Sequence, residues 1–226
     1  MQPDWFRPFL ASHFVRSKLG YEHLPRAWEY PWAVLSANIE SGMRVLDVGS
    51  GGSAFPLLLS KYGCEAHAAD PSLDKGKSIR LRGFKKRMIH ALGINAMWGL
   101  PSTGRSRISA VKYIPDPIQN LRYEDGYFNR VFCVSVIEHI PVQEWIRCMT
   151  EMSRILAYKG RLVITIAMST AQANQRWHEK LFGQPTLRLL GSIDYSTPIK
   201  PDEAQLRHPG MGFETLGLVW EKLNVA

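Results

Sequence analysis

Val45-Leu-Asp-Val-Gly-Ser-Gly-Gly-Ser53 places a carboxylate two residues ahead of a glycine turn, and two further acids follow: Asp70 in Ala68-Ala-Asp-Pro71 and Asp116 in Tyr113-Ile-Pro-Asp-Pro-Ile-Gln-Asn-Leu121. Gly49 and Gly51 permit a sharp turn and let a ligand approach the backbone closely. The spacing Gly49-x-Gly51-x-x-Ala54, with Asp70 about 20 residues later, meets the fingerprint of a dinucleotide site. Glycine spacing alone leaves more than one nucleoside cofactor open; Asp47 separates them. A pyrophosphate at a helix start needs the positive potential of backbone N–H groups, and a neighbouring carboxylate opposes it. A cationic sulfonium and an ammonium group are favoured by that carboxylate. The charge therefore points to S-adenosylmethionine (SAM) and away from a nicotinamide-dependent oxidoreductase. Asp70 can accept both ribose hydroxyl hydrogens, and Asp116 the exocyclic amine of adenine. A single acid of this kind is more often a turn residue. Three at the carboxyl ends of successive strands, where open α/β sheets bind ligands, make a shared cradle.

The elements that must position these acids are legible as short apolar runs alternating with helical patterns between Met43 and Ala167, the mark of a mostly parallel sheet with helices on both faces. Strands are expected at Arg44–Val48, Glu65–Ala69, Ser109–Ile114, Arg130–Val136 and Arg161–Ala167. Helices are expected at Ala54–Tyr62, Leu73–Leu92 and Gln143–Ala157, the last ended by a left-handed Gly160. Residues 93–106 read as a loop or insertion. The chain reads as one domain over 1–226: a helical cap at 1–40, a cofactor-binding core at 43–167, and a tail at 168–226 with a helix around Ala171–Phe182 and a late strand at Gly212–Lys222.

On these residues the segment Met43–Ala167 resembles the class I SAM-dependent methyltransferase family, in particular its small-molecule and UbiG-like branches. Val45–Ser53 looks like the family's glycine motif, Ala68–Pro71 its ribose motif and Pro115–Leu121 its adenine motif. Tyr123–Ile140 resembles the strand-four motif, and Glu151–Ile166 the helix, turn and strand that end the core. The resemblance implies a Rossmann-like α/β sheet of seven strands, mostly parallel with an antiparallel last strand. The sixth strand has no clear place in the sequence. Two positions depart from the pattern: Ser53 stands for a third glycine, and Asn129 for the usual Asp before strand four.

Methyl transfer asks the protein mainly to align the acceptor and exclude water. A general base is needed only for an acceptor protonated at working pH. Glu138 and His139 follow strand four, where the family places the acceptor, and an imidazole titrates near neutrality. The plainer reading makes them a hydrogen-bonded pair that fixes the loop. Some relatives bind a divalent cation through Glu-x-x-Glu-His, but Ser135 occupies the first position, leaving two ligands, too few for an oxygen-ligated site. His178 and His208 could complete such a site only if the tail folds back, and no metal is expected. By family analogy the aromatic prelude covers the methionyl end of SAM, where Tyr30 would face the sulfonium and Arg26 pair its carboxylate. The expected cofactor residues are thus Asp47, Gly49, Ser50, Gly51, Asp70, Pro71, Asp116, Pro117, Ser135, Tyr30 and Arg26, with Glu138 and His139 at the acceptor.

Composition narrows the partners. Hydrophobic residues are 45% and charged residues 21% of the chain, which excludes a disordered class. Nine Lys and Arg with no Asp or Glu lie between Lys75 and Arg107, more than the whole formal net charge of +8, so the basicity belongs to that segment. It would attract a small anionic acceptor or act as a solvated face. A nucleic-acid methyltransferase tracking phosphates with this segment is the alternative. Neither Asn-Pro-Pro-Tyr nor Asp-Pro-Pro-Tyr follows strand four, which weighs against amino-group methylation of bases. A non-catalytic protein of this fold is a further alternative. Cys64, Cys133 and Cys148 have no metal-site spacing and suit a reducing compartment. No apolar run nears the roughly 20 residues of a membrane span, and the first ten residues lack the pattern of a secretory signal. A cytoplasmic protein is expected.

Overall fold

The computed structural model describes residues 25–51, 53, 55–74, 111–169, 177–191 and 213–224. The basic helix expected beyond Asp74, the 93–106 segment, the start of the helix expected at Ala171 and the side chain of Arg26 lie outside the described residues.

Strands β1 (Arg44–Val48), β2 (Glu65–Ala69), β3 (Lys112–Ile114), β4 (Phe128–Val134), β5 (Leu156–Ser169), β6 (Leu187–Leu189) and β7 (Phe213–Lys222) form one sheet in the order β3-β2-β1-β4-β5-β7-β6. The first five run parallel, and β7 lies antiparallel between β5 and β6. This is the expected mostly parallel sheet with an antiparallel last strand.

Apart from Arg44 and Asp47, β1 is apolar, because both of its faces are covered. Val45 faces a cluster with Tyr30, Ala33, Val34 and Ala37 of helix α1 (Pro25–Ala37) and with Phe55, Leu58 and Leu59 of helix α2 (Phe55–Lys61). Leu46 and Val48 face the other cluster, with Cys148, Met149 and Met152 of helix α3 (Trp145–Arg154). In α3 the buried residues Trp145, Cys148, Met149, Met152 and Ser153 recur at three- and four-residue intervals, one helical stripe. All three cysteines are buried and none is in a disulfide.

Helix α1 is held against β4 and β5 by its end. Pro25, at its first position, is a favoured start because its missing N–H has no helical partner to lose. At its C-terminus the Arg130 guanidinium donates to the carbonyls of Ala37 and Asn38, and Arg161 donates to Ser36 at 2.8 Å. Two cations thus cap the negative end of the helix. Trp32 lies over Gly217 of β7, where a Cβ would come 2.5 Å from the indole.

Several expectations need correction. Helix α3 ends at Arg154, and β5 starts at Leu156, five residues before the expected Arg161. Gly160 is not its left-handed cap; Lys159 takes that conformation with φ 59°. Gly160 lies inside β5, where a Cβ would meet Leu156 Cδ1 at 2.9 Å, as the register between β4 and β5 shifts after Phe128. Strand four also runs two residues earlier than expected, because Ser135 leaves extended backbone at φ 48°.

Candidate active site

The glycine turn is an extension of the β1–β2 ladder. Gly49 and Ser50 both donate N–H bonds to the Ala69 carbonyl, at 2.7 and 3.3 Å. Gly49 (φ 66°) and Gly51 (φ 51°) occupy the left-handed region that side chains disfavour. Gly49 also has no room: a Cβ would lie 2.3 Å from Val136 Cγ1. The turn after β1 is therefore pressed against the turn after β4.

Asp70 belongs to this turn. Its Oδ2 accepts the Gly51 N–H at 2.9 Å, and its Oδ1 accepts the Ser72 N–H at 2.7 Å. Each carboxylate oxygen has two acceptor sites, so the protein engages half of this capacity. Pro71 opens the short 3-10 turn Pro71–Asp74 behind it. Asp47 is buried on β1, and Ser53 Oγ stands 3.4 Å from its Oδ2. Ser53 Oγ also accepts the Phe55 N–H at 3.3 Å and caps α2, which accounts for serine at the third glycine position. Asn129, the other departure, accepts the Arg44 N–H at 2.9 Å and ties β4 to the start of β1.

Asp116 differs from the other two acids. It is buried next to Pro117 after β3, and Arg122 saturates it: the guanidinium lies 2.7 Å from Oδ1, its Nε 2.9 and 3.1 Å from the two oxygens, and the Arg122 N–H donates to Oδ2 at 3.0 Å. Burial alone would raise its pKa, but the Arg122 hydrogen bonds outweigh that and hold the carboxyl below the usual range. The ends of β1, β2 and β3 do adjoin. The acid on β3, however, has its charge and its acceptor sites engaged within its own loop.

Ser135 and the β4 turn sit across from this edge. The Ser135 N–H donates to Thr165 O and Thr165 Oγ1, each at 3.0 Å, and its hydroxyl donates to Glu29 of α1. Glu138 accepts the Ala167 N–H at 3.1 Å through Oε1, while Oε2 is buried with no hydrogen-bond partner. Burial raises the Glu138 pKa. His139 is exposed, so the Glu138 carboxyl is fixed by the β5 backbone rather than by a bond to the imidazole. Tyr30 stacks on Phe55, with ring centroids 4.6 Å apart and 15° between planes, and is buried. That packing makes it a core side chain of the cap, with one ring face covered. Among the described residues no three His, Cys, Asp or Glu side chains cluster as a metal site.

Glu29, Arg122 and Val136 were not among the expected site residues. Glu29 had a signal: it is the only charged residue between Arg26 and Glu40, set between Trp28 and Tyr30. Arg122 and Val136 carried none, since their roles depend on turns that close in space.

A doubly wound sheet with a glycine turn and acids at adjoining strand ends defines a nucleoside-cofactor domain. A family model described as a methyltransferase domain matches residues 21–193. The ubiquinone biosynthesis O-methyltransferase of Xylella fastidiosa (strain 9a5c) is 28% identical over 178 residues, which cover 77% of this chain and 63% of that protein. Among solved structures, the N-methyltransferase NodS from Bradyrhizobium japonicum WM9 in complex with S-adenosyl-l-homocysteine (SAH) has a TM-score of 0.55 at 13% identity, covering 97% of this chain and 99% of that one. The [4+2]-cyclase SpnF has a TM-score of 0.56 at 14% identity, covering 86% and 80%. The chain belongs to the methyltransferase-domain family, whose methyl donor is SAM. It spans 63% of the length of the Xylella relative.

Proposed function

We propose that this chain is a SAM-dependent methyltransferase that acts on a small-molecule acceptor, with a hydroxyl oxygen as the favoured nucleophile. The observation that carries the proposal is the pairing of Asp70, half engaged and tied to Gly51, with the buried Asp47 at the next strand end. The residues fit the cofactor. Asp70 has an acceptor site left on each oxygen for the two ribose hydroxyls. Asp47 supplies negative charge for the cationic methionyl end. Ser50 Oγ, buried without a hydrogen-bond partner, calls for a polar group at the turn. Asp116 shapes the adenine wall through the loop it holds with Arg122, a role that does not require it to accept the adenine amine itself.

When bound, SAM supplies an electrophilic methyl group on a sulfonium, which an acceptor displaces in line. The chain's own work is orientation and proton handling. Glu138 is held by the Ala167 N–H, and its second oxygen, raised in pKa by burial, can take the proton of an acceptor hydroxyl. The exposed His139 stands at the mouth of the same turn, one residue from Glu138. Preference for an anionic acceptor would come from the 75–107 segment. Residence in the cytoplasm is part of the same reading and is supported by three buried cysteines outside any disulfide.

The test is transfer of labelled methyl from SAM to a panel of hydroxylated aromatic and carboxylate-bearing small molecules, with RNA and DNA in parallel at low and high salt. Label in a small hydroxylated acceptor, lost in Glu138→Gln, supports the reading. Label only in nucleic acid, falling steeply with salt, replaces it with the nucleic-acid alternative. No label anywhere, despite tight SAM binding, leaves a binding protein of this fold.

A further inference from the structure

Glu29 is fully buried in α1, yet no step of the proposed chemistry uses it. Its Oε1 accepts two hydroxyl hydrogens, one from Ser135 and one from Thr165 at 2.7 Å. Thr165 Oγ1 in turn accepts the Ser135 N–H at 3.0 Å. The two side-chain bonds and this backbone bond close a ring of three residues that joins α1, the end of β4 and β5. At its centre is Ser135, held at φ 48°, a left-handed conformation that a residue with a side chain adopts only when its surroundings hold it there. The next residue, Val136, is the one packed against Gly49. A contiguous path therefore runs from α1 through Glu29, Ser135 and Val136 to the first glycine of the cofactor turn.

We infer that Glu29 is a positioning residue of the cofactor site: by latching α1 to Ser135 and Thr165 it fixes the β4 turn against Gly49 and couples seating of the helical cap to binding of SAM. The inference rests on the SAM reading above. The far end of α1 is clamped separately by Arg130 and Arg161. Loss of Glu29 therefore frees the part of the helix near the site while the rest stays anchored. Gln retains a carbonyl acceptor for both hydroxyls, and Ala retains none. Coupling is reciprocal, so SAH should protect α1 from exchange as α1 docking favours SAH.

The experiment measures SAH affinity by calorimetry in Glu29→Ala, Glu29→Gln and Thr165→Val, with hydrogen–deuterium exchange of α1 in the ligand-free proteins. The expected result is about a tenfold loss of SAH affinity in Glu29→Ala, several-fold in Thr165→Val and no more than about twofold in Glu29→Gln. Exchange in α1 should quicken in Glu29→Ala and Thr165→Val. A folded Glu29→Ala that binds SAH like the wild type overturns the inference, and so does a Glu29→Gln as weak as Glu29→Ala. If Glu29→Ala does not fold, Thr165→Val decides on the same criteria. If the wild type binds no SAH, the SAM reading fails, and the exchange data still judge the latch: unchanged α1 exchange in the variants overturns it.

Discussion

Gly49→Ala is the sharpest perturbation the site offers. Two penalties meet at one carbon. The backbone at φ 66° is left-handed, which costs an alanine roughly 1–2 kcal/mol. The new Cβ would also stand 2.3 Å from Val136 Cγ1. Non-bonded carbons prefer about 3.5–4.0 Å, so one of the two turns has to move by about 1 Å. Overpacking of this kind costs roughly 1–3 kcal/mol. The sum is about 2–5 kcal/mol of stability, read by urea denaturation, together with weaker SAH binding because the Gly49 and Ser50 N–H groups are drawn off the Ala69 carbonyl. A double-mutant cycle separates the two costs. Val136→Ala in the Gly49→Ala background should return the steric part and leave the backbone strain, a coupling of roughly 1–3 kcal/mol. A Gly49→Ala variant within about 0.5 kcal/mol of wild type, or a cycle with no coupling, would refute the packing of the two turns.

Asp70 and Asp116 should respond oppositely. Asp70→Asn should reduce SAH affinity by about tenfold or more, one lost charge-assisted hydrogen bond being worth roughly 1.5–3 kcal/mol, with little change in stability. Asp116→Asn should cost roughly 1.5–3 kcal/mol of stability by uncoupling Arg122, with a smaller effect on SAH; the reverse pattern would return adenine recognition to Asp116. His67 is buried between Tyr123, at 2.8 Å, and Glu65, at 3.2 Å, and burial lowers its pKa more than Glu65 raises it. The folded protein thus holds this proton less tightly than the unfolded chain, so its contribution to stability is complete above about pH 6.5 and is lost as pH falls below that value. Urea midpoints between pH 8 and 5 should show a decline that flattens in His67→Gln. Methyl transfer should proceed unchanged in EDTA; abolition reversed by magnesium would add a metal that Glu138 and His139 would have to share with other ligands.

The core strands and the glycine turn were legible because their signals are local. β1 is a short run of Val and Leu, interrupted only by Asp47 and closed by Gly49, and β2 is followed by an acid before proline. What escaped depends on closure in space. β6 is three residues, Leu187–Leu189, and becomes a strand only because β7 offers it an edge. Gly160 carries the composition of a helix terminator, yet it serves a register shift between strands. Asp116 looked equivalent to Asp70 because the sequence does not show that the loop turns Arg122 back onto it. Glu29 stands out in the sequence as a lone charge between aromatics, but its partners, the hydroxyls of Ser135 and Thr165, are more than 100 residues away and meet it only in the folded chain.

The most direct measurement is calorimetric titration of the chain with SAH, with SAM and, separately, with NAD. Saturable binding of SAH with one site per chain, negligible binding of NAD, and loss of the SAM signal in Asp47→Asn are the results expected. NAD binding as tight as SAH, or SAM affinity indifferent to Asp47, would contradict the claim that negative charge at the strand ends selects a cationic cofactor.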